Sequence, residues 1–194
     1  DKKQALNGII KGGQYKDLRA KSAKFINSLS FDGIAIGGSF VTKENMFQIL
    51  DLVIPKLDER PRHMLGIGRI DDIFECIDRS IDTFDCFEMT RIARHGELYI
   101  SPKSKGSIKN KFKISIKKGI FAKDKKQVDK NCKCYTCQNY KRKDLHYMYK
   151  NNKTEYNRLA TIHNIYFILA LAKEIRESII NGKFEKLKKE WIGS

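Results

Sequence analysis

The chain has 194 residues, of which 41% are hydrophobic and 32% are charged, and its formal net charge is +16. This length is enough to bury one good core. The longest apolar run, Ile165 to Ala172, is far shorter than the roughly 20 residues that cross a bilayer, and it predicts a buried helix instead. With no apolar signal segment after Asp1, we expect a cytoplasmic protein without a membrane span. The lack of an initial methionine suggests a piece of a longer chain.

The positive charge is confined to the second half of the chain. Residues 1–100 carry 15 Lys and Arg against 15 Asp and Glu, whereas residues 101–194 carry 24 against 8. A one-sided positive field attracts phosphate groups, so nucleic acid is the leading candidate partner. A lysine-rich composition that only improves solubility is the alternative interpretation.

The first half alternates short apolar strands with amphipathic helices, and glycines close the first three strands. The predicted strands are Ala5–Ile10, Gly33–Ile36, Met64–Ile67 and Ile81–Phe87, and the predicted helices are Tyr15–Leu29, Lys43–Leu57 and Ile70–Ser80. This order is typical of a parallel β/α fold that binds ligands at the carboxyl ends of its strands. Half of a (β/α)8 barrel and a doubly wound sheet both fit the pattern.

The fourth predicted strand carries the most specific candidate residue. Strand alternation places Asp85 on one face and Asp82 on the other. Asp85 would lie between Phe84 and Phe87, where a buried carboxylate is costly unless it is hydrogen-bonded or used in catalysis. An aspartate that only caps the following turn is the alternative.

Two arginines follow this strand. Arg91 and Arg94 belong to the segment Thr90–Gly96, which we expect to form a loop beside the acidic strand end. Because guanidinium groups match the geometry of phosphate oxygens, this loop is a candidate for RNA contact.

Three cysteines, Cys132, Cys134 and Cys137, lie within six residues. Thiolates at such short spacing can fill three corners of a zinc tetrahedron, with His163 or His146 as the fourth ligand. The total of five cysteines is odd, which suits intracellular thiols better than disulfides. Three incidental free thiols are the alternative.

Several motifs together resemble those of the queuine tRNA-ribosyltransferases, also called tRNA-guanine transglycosylases. They follow the family's order over nearly the whole chain: Gly8–Gly13, Phe31–Gly38, Pro61–Gly68, Phe84–Cys86, Thr90–Gly96, Cys132–Cys137 and Thr161–Asn164. The chain also stops soon after Trp191, as bacterial members do, without the extra RNA-binding domain of archaeal relatives. The resemblance is therefore to the C-terminal half of a bacterial-type member.

The resemblance implies an α/β fold, the C-terminal half of a (β/α)8 TIM barrel with an inserted zinc-binding subdomain. We expect residues 1–100 to form the barrel half and residues 101–194 the basic zinc-binding subdomain with the C-terminal helices. Family members exchange guanine at the wobble position of certain tRNAs for a 7-deazaguanine, a queuosine precursor. A carboxylate attacks the ribose anomeric carbon, which fits a transition state that an adjacent anion stabilises.

The same resemblance assigns roles to individual residues. Asp85 matches the nucleophile, and Lys11, Gly37 and Gly38 match substrate-binding positions. The ligands of one structural zinc ion, with no open coordination position, would be Cys132, Cys134, Cys137 and His163. The stretches that match RNA contacts around the flipped nucleotide are Gly66, Ile67, Gly68, Arg69, Ile70, Asp71 and Asp72, and Thr90, Arg91, Ile92, Ala93 and Arg94.

The chain also departs from the family pattern. Lys11 stands where bacterial members usually carry a glutamine that reads the base, Leu65 replaces a usual methionine, and Glu88-Met89 replaces an apolar-proline pair. Ser39-Phe40 follows the glycine pair where smaller apolar residues are common. In this family the N-terminal half of the barrel holds the general-base aspartate and the aromatic wall that stacks the purine. We therefore expect the chain alone to be inactive.

Two function classes follow. One is the catalytic half of a transglycosylase, and the other is a non-catalytic tRNA-binding paralogue that keeps the zinc subdomain for dimerisation. Asp85 separates them, since a binding subunit needs no carboxylate on that strand. Family members are commonly homodimers, and Tyr140, Leu145, Tyr147 and Tyr149 either contribute to such an interface or pack beneath the zinc loop.

Overall fold

The structure is a computed structural model that describes residues 4–38, 40–130 and 132–193. It divides into two compact units, the first ending at Cys86 and the second beginning at Phe87. The predicted boundary at residue 100 therefore falls inside the second unit, because residues 88–99 pack within it. Residues 1–86 carry 13 basic and 13 acidic side chains, and residues 87–194 carry 26 and 10, so the second unit holds the whole excess charge.

The first unit is built on one parallel sheet. Its strands and helices are β1 (Asn7–Ile10), α1 (Lys16–Asn27), β2 (Gly33–Ile36), α2 (Lys43–Val53), β3 (Arg62–Met64), α3 (Ile70–Asp78) and β4 (Thr83–Phe84). Each strand pairs with its sequence neighbour, in the order β1-β2-β3-β4. The predicted alternation of strands and helices is confirmed. A doubly wound sheet requires a point at which the strand order reverses. The order of these four strands contains no such point.

The three helices cover one face of this sheet. Ile36 and Met64 point from the strands into a buried cluster that also contains Ala23 of α1, Leu50 of α2 and Cys76 of α3. Because side chains alternate along a strand, the residues between these strand positions point to the opposite face. That second face carries the candidate site described below.

Two predicted strands have different bounds in the structure. The prediction Met64–Ile67 was wrong for β3, which ends at Met64, because Gly66 adopts a φ of +74° and turns the chain. The prediction Ile81–Phe87 was too long for β4, where only Thr83 and Phe84 pair with β3. Both strands therefore end earlier than the apolar pattern indicates.

The second helix shows how local sequence sets an element. The Oγ1 of Thr42 accepts a hydrogen bond from the main-chain N–H of Asn45 at 3.1 Å and caps the helix. The helix ends at Val53 rather than at the predicted Leu57, and a short 3₁₀ turn, Ile54–Lys56, contains Pro55. Proline cannot donate the hydrogen bond that a continuing α-helix needs.

The second unit is mainly helical. Its elements are α4 (Glu88–Arg94), β5 (Glu97–Tyr99), β6 (Lys113–Ser115), α5 (Tyr135–Asn139), α6 (Arg142–Asn151), α7 (Lys153–Ile180) and α8 (Phe184–Ile192), with short 3₁₀ turns at Pro102–Ser104, Ile108–Asn110 and Gly119–Phe121. Strands β5 and β6 form an antiparallel pair. One buried cluster joins this pair to α5, α6 and α7.

The longest apolar run lies within α7 and is not wholly buried. Phe167 and Leu171 are buried, whereas the side chain of Leu169 is 64% exposed. The predicted buried helix is therefore an amphipathic one with an apolar exposed side. Within the described ranges, no helix combines the length and the apolar character that crossing a membrane demands.

Candidate metal centre and strand-end site

The cysteine cluster and one histidine form a compact group of metal ligands. Cys134 caps the amino end of α5, Cys137 lies one turn further, and His163 projects from the middle of α7. The ligand atoms of Cys132, Cys134, Cys137 and His163 all lie within 4.8 Å of one another. Two sequence-distant elements therefore meet at one buried point.

The distances fit a tetrahedral zinc ion. The Nδ1 of His163 lies 3.8, 3.5 and 3.4 Å from the sulfur atoms of Cys132, Cys134 and Cys137. A tetrahedron with typical zinc–sulfur and zinc–nitrogen bonds separates a sulfur and a nitrogen ligand by about 3.6 Å. The cluster is thus suited to hold one zinc ion with four protein ligands, which makes the metal structural.

Neighbouring groups prepare these ligands for a metal. The Nε2–H of His163 donates to the main-chain oxygen of Tyr99 at 2.9 Å, which leaves Nδ1 free to bind the ion. Hydrogen bonding to Cys132, reinforced by Cys137, lowers the pKa of the Cys134 thiol toward the thiolate that zinc requires. Burial alone would lower the pKa of His163, but its hydrogen bonds to Cys132 and Cys134 raise it to about 9 while no metal is bound. Zinc would displace that proton.

His146, the other candidate for the fourth zinc ligand, is hydrogen-bonded away from the cysteine cluster. His146 is buried on α6, where its Nδ1 lies 2.7 Å from the main-chain oxygen of Ile116. It does not belong to the ligand cluster. The choice between the two histidines is therefore settled in favour of His163.

The residue after His163 ties the metal ligand's helix to β5. The buried side chain of Asn164 accepts a hydrogen bond from Tyr99 N and donates to the main-chain oxygens of Glu97 and Met89, each at 3.1 Å. At the two ends of the β5–β6 pair, Ile100 N donates to Phe112 O and Gly96 O accepts from Ile116 N. The main-chain groups of the odd-numbered residues of β5 therefore face away from β6. The side chains of His163 and Asn164 thus form the hydrogen bonds that a further strand would form with this edge of β5. Sequence reasoning quoted Asn164 only as part of a motif and missed this role.

In the first unit, the sheet register brings the predicted substrate and catalytic positions into one row. Ile10, Ile36, Met64 and Phe84 are aligned across the four strands. The next residue of each strand therefore forms a row at the carboxyl edge of the sheet: Lys11, Gly37, Leu65 and Asp85. We call this set the strand-end row. Neighbouring strands are about 4.8 Å apart, so Gly37 and Asp85 are separated by about 10 Å.

Asp85 is held in place but is not buried. Its Oδ1 accepts hydrogen bonds from the Nε2 of His63 at 3.2 Å and from the main-chain N–H of Gly66 at 3.0 Å. The Asp85 side chain is 61% exposed, so the expectation that Phe84 and Phe87 enclose it was wrong. Both donors belong to β3 and the turn after it. These contacts fix the carboxylate at the end of its strand.

Comparison with known proteins decides the family. The family model described as queuine tRNA-ribosyltransferase matches residues 1–194. The chain belongs to this family. A protein of Archaeoglobus fulgidus is 50% identical over all of the chain and 48% of its own length. Proteins named queuine tRNA-ribosyltransferase from Roseiflexus sp. and Thermoanaerobacter pseudethanolicus are 40% and 39% identical over 98% of the chain and 47% and 49% of their own lengths. The chain spans about half the length of the curated relatives it matches.

Within this family member, a buried arginine holds Gly37 of the strand-end row and lies against Gly38. Arg19 of α1 donates to the main-chain oxygens of Gly13 at 2.8 Å, Gly37 at 2.6 Å and Ile10 at 3.4 Å. Gly38 has a φ of +109°, and a Cβ there would lie 2.9 Å from the Arg19 side chain. A side chain at this position would strain the main chain and displace the Arg19 guanidinium group.

Sequence reasoning missed Arg19, although a signal was present. Arg19 occupies the same face of α1 as Ala23, one turn away, and both are fully buried. A cation in the apolar stripe of an amphipathic helix indicates a buried structural or binding role. The side chain of Lys11, by contrast, is exposed at the rim of the sheet.

The predicted RNA-contact stretch in the first unit mixes exposed and buried positions. Gly66 and Arg69 are exposed, whereas Gly68, Ile70 and Asp72 are buried and Ile67 and Asp71 are half-buried. The Nζ of Lys43 forms ion pairs with Asp71 at 2.7 Å and with Asp72 at 2.8 Å. These carboxylates are neutralised within the protein. Arg69 is the exposed cation of this stretch, and its role in RNA binding stays a prediction.

The second stretch forms a helix, so the predicted loop was wrong. Thr90, Arg91, Ile92, Ala93 and Arg94 all belong to α4. The side chains of Ile92 and Ala93 are buried in the second unit, and those of Arg91 and Arg94 are exposed. Arg91 also lies over the Phe87 ring at 5.2 Å. Any contact of this stretch with phosphate therefore depends on the two arginines.

The four residues named for a homodimer interface differ in exposure. Leu145 is fully buried in the core of the second unit, and Tyr140 and Tyr149 pack against that core. Tyr147 is exposed. Packing beneath the zinc loop thus accounts for three of the four, and the homodimer stays a prediction.

Proposed function

We propose that the chain is the C-terminal half of a tRNA-guanine transglycosylase, which exchanges guanine at the wobble position of tRNA for a 7-deazaguanine. The strand-end row carries the proposal, because it sets Gly37 and Asp85 two strands apart on the edge where parallel β/α folds bind ligands. Family membership supports this reaction class. In the whole protein, the sheet of the first unit would supply half of a (β/α)8 barrel, with the second unit as the zinc-binding subdomain.

The proposed reaction makes and breaks one bond in each of two steps. A carboxylate oxygen of Asp85 bonds to ribose C1′ while the bond from C1′ to guanine N9 breaks, and guanine leaves with the electron pair and takes up a proton. The 7-deazaguanine then loses its own proton, its nitrogen bonds to C1′, and the carboxylate is released. An acid–base group outside this chain would carry both protons, since the family resemblance places it in the N-terminal half.

Substrate recognition would use the glycine end of the row. We propose that a flat base approaches the main chain at Gly37 and Gly38, which carry no side chains, and that Arg19 holds the oxygen of Gly37 in place. The exposed Lys11 at the rim would then face the base where relatives usually carry a glutamine. This substitution bears on which 7-deazaguanine is accepted.

The second unit would supply most of the attraction for tRNA. Its excess charge of +16 favours phosphate, and Arg91 and Arg94 present exposed guanidinium groups on α4. We propose that the protein acts in the cytoplasm as a homodimer, with Tyr147 as the exposed interface residue.

A denaturation-resistant adduct with tRNA tests the proposal. The chain, fused to or mixed with an N-terminal half of a family barrel, should incorporate labelled guanine into tRNA and form a covalent complex that survives denaturation. Asp85→Asn should abolish both signals and leave tRNA binding largely intact, because the lost group acts in bond formation and not in docking.

Asp82→Asn is the matched control, because Asp82 directly precedes β4 and Asp85 directly follows it. The Oδ2 of Asp82 accepts a hydrogen bond from the main-chain N–H of Arg62 at 2.7 Å, which an asparagine oxygen can replace. This variant should form the adduct normally. An adduct in Asp85→Asn that disappears in Asp82→Asn would move the nucleophile to Asp82. Binding of tRNA without any adduct in the unsubstituted protein would favour the non-catalytic paralogue.

A further inference from the structure

The two oxygens of the Asp85 carboxylate differ in their hydrogen bonds. Both hydrogen bonds, from His63 Nε2 at 3.2 Å and Gly66 N at 3.0 Å, end on Oδ1. Among the residues that the structure describes, no hydrogen bond to Oδ2 is found. One oxygen is therefore held, and the other is free to form a bond.

A threonine fixes the orientation of the histidine. The Nδ1 of His63 lies 2.8 Å from the Oγ1 of Thr83, which is its register partner on β4. A carboxylate can only accept hydrogen bonds, so Nε2 must carry a proton toward Asp85. In the neutral ring, Nδ1 then accepts from the Thr83 hydroxyl. The Thr83 hydroxyl therefore donates to His63, and His63 donates to Asp85, so both ring nitrogens of His63 have a hydrogen-bond partner.

We propose that His63 is a positioning residue that sets the balance between the free Asp85 carboxylate and its covalent ester with ribose. The inference rests on the proposed function, in which Oδ2 attacks C1′ and Oδ1 becomes the ester carbonyl. A hydrogen bond to an ionised acceptor is roughly twice as strong as one to a neutral acceptor. The Nε2–H of His63 therefore stabilises the carboxylate more than the ester and favours release of the modified tRNA.

Of the two donors to Asp85 Oδ1, the N–H of Gly66 cannot be removed by changing a side chain. The N–H of Gly66 comes from the main chain, in a turn whose φ of +74° favours glycine. His63 is thus the adjustable donor. Its side chain is 21% exposed on the sheet face opposite the helices, so a change there does not disturb the buried cluster between sheet and helices.

Three variants of the complete protein separate this role from simple packing. His63→Phe keeps a ring but removes the donor, and His63→Gln replaces Nε2–H with an amide N–H at a similar reach. Thr83→Val removes the hydroxyl that orients His63. With guanine as both the leaving and the entering base, the ratio of adduct to free enzyme is measured at a fixed guanine concentration, together with KM for tRNA.

We expect His63→Phe to raise the ratio of adduct to free enzyme about fivefold to tenfold. The reason is that the free carboxylate loses a hydrogen bond that stabilises it more than it stabilises the ester. His63→Gln should restore the original ratio. KM for tRNA should fall in His63→Phe, because accumulation of a covalent intermediate lowers KM, and it should return to its original value in His63→Gln. Thr83→Val should shift the ratio in the same direction by a smaller factor, and it serves as the test if His63→Phe does not fold.

Two results would overturn the inference in distinguishable ways. An unchanged ratio in a folded His63→Phe protein, or equal shifts in the Phe and Gln variants, would reduce His63 to a packing residue and leave the proposed function standing. Failure of the unsubstituted protein to form any adduct would overturn the proposed function, and this inference with it.

Discussion

Replacing Asn164 by leucine should destabilise the second unit strongly. The substitution keeps the approximate size of the side chain but removes all three hydrogen bonds that Asn164 makes with the main chain. Tyr99 N and Glu97 O lie on the edge of β5 that faces away from β6, so the strand pair cannot supply new partners for them.

The expected loss follows from these two main-chain groups. A buried donor or acceptor left unpaired costs about 1–3 kcal/mol, so the pair together costs about 2–6 kcal/mol. A domain of about 100 residues loses about 4 °C of melting temperature per kcal/mol, which gives a decrease of about 8–24 °C. Zinc affinity should also fall about 10- to 100-fold, since Tyr99 supplies the oxygen that orients His163.

Thermal unfolding of the zinc-loaded chain and zinc titration against a competing chelator measure the two effects. Asn157→Leu is the matched control, because Asn157 lies on the same helix and its buried Oδ1 has no hydrogen-bond partner. That variant should melt within about 3 °C of the unsubstituted chain. If Asn164→Leu also melts within that range, the side-chain pairing of β5 does not stabilise the unit and the reasoning is refuted.

Two further substitutions test the metal centre and the glycine loop. His163→Ala should remove stoichiometric zinc, measured by elemental analysis, and unfold the region around α5. His146→Ala should retain the metal, and the reverse result would make His146 the ligand. Arg19→Met should lower the free energy of unfolding by about 2 kcal/mol or more and weaken guanine binding in the complete protein, because the oxygens of Gly13 and Gly37 lose their donor. Lys24→Met, an exposed change on the same helix, should alter neither quantity, and equal effects of the two changes would contradict the role of Arg19.

The sequence predicted the metal centre better than the strand-end site, and the reason is physical. Cysteine spacing within one loop restricts the ligand geometry directly, so only the fourth ligand stayed open until α7 was seen to bring His163 to the cluster. The contact between His63 and Asp85 depends instead on the register of β3 against β4. With β3 predicted two residues too late, His63 lay outside any strand, and its partner could not be inferred.

Exposure was also difficult to infer from local pattern. The phenylalanines around Asp85 suggested burial, but the structure leaves its side chain mostly exposed. The segment of Arg91 and Arg94 was read as a loop because it follows a strand end, yet Ile92 and Ala93 supply a buried helical face. In each case tertiary packing, which neighbouring residues alone do not specify, decided the outcome.

The strand-end row makes some parts of the chain far more tolerant of insertions than others. Its members Lys11, Gly37, Leu65 and Asp85 are separated by 26, 28 and 20 residues, and only the register of the four strands brings them together. Extra residues in an exposed connection can be absorbed without moving the row. One extra residue inside a strand would turn the row member that follows it to the helix-covered face. Length variation among related chains should therefore collect between these elements and be excluded from the strands themselves.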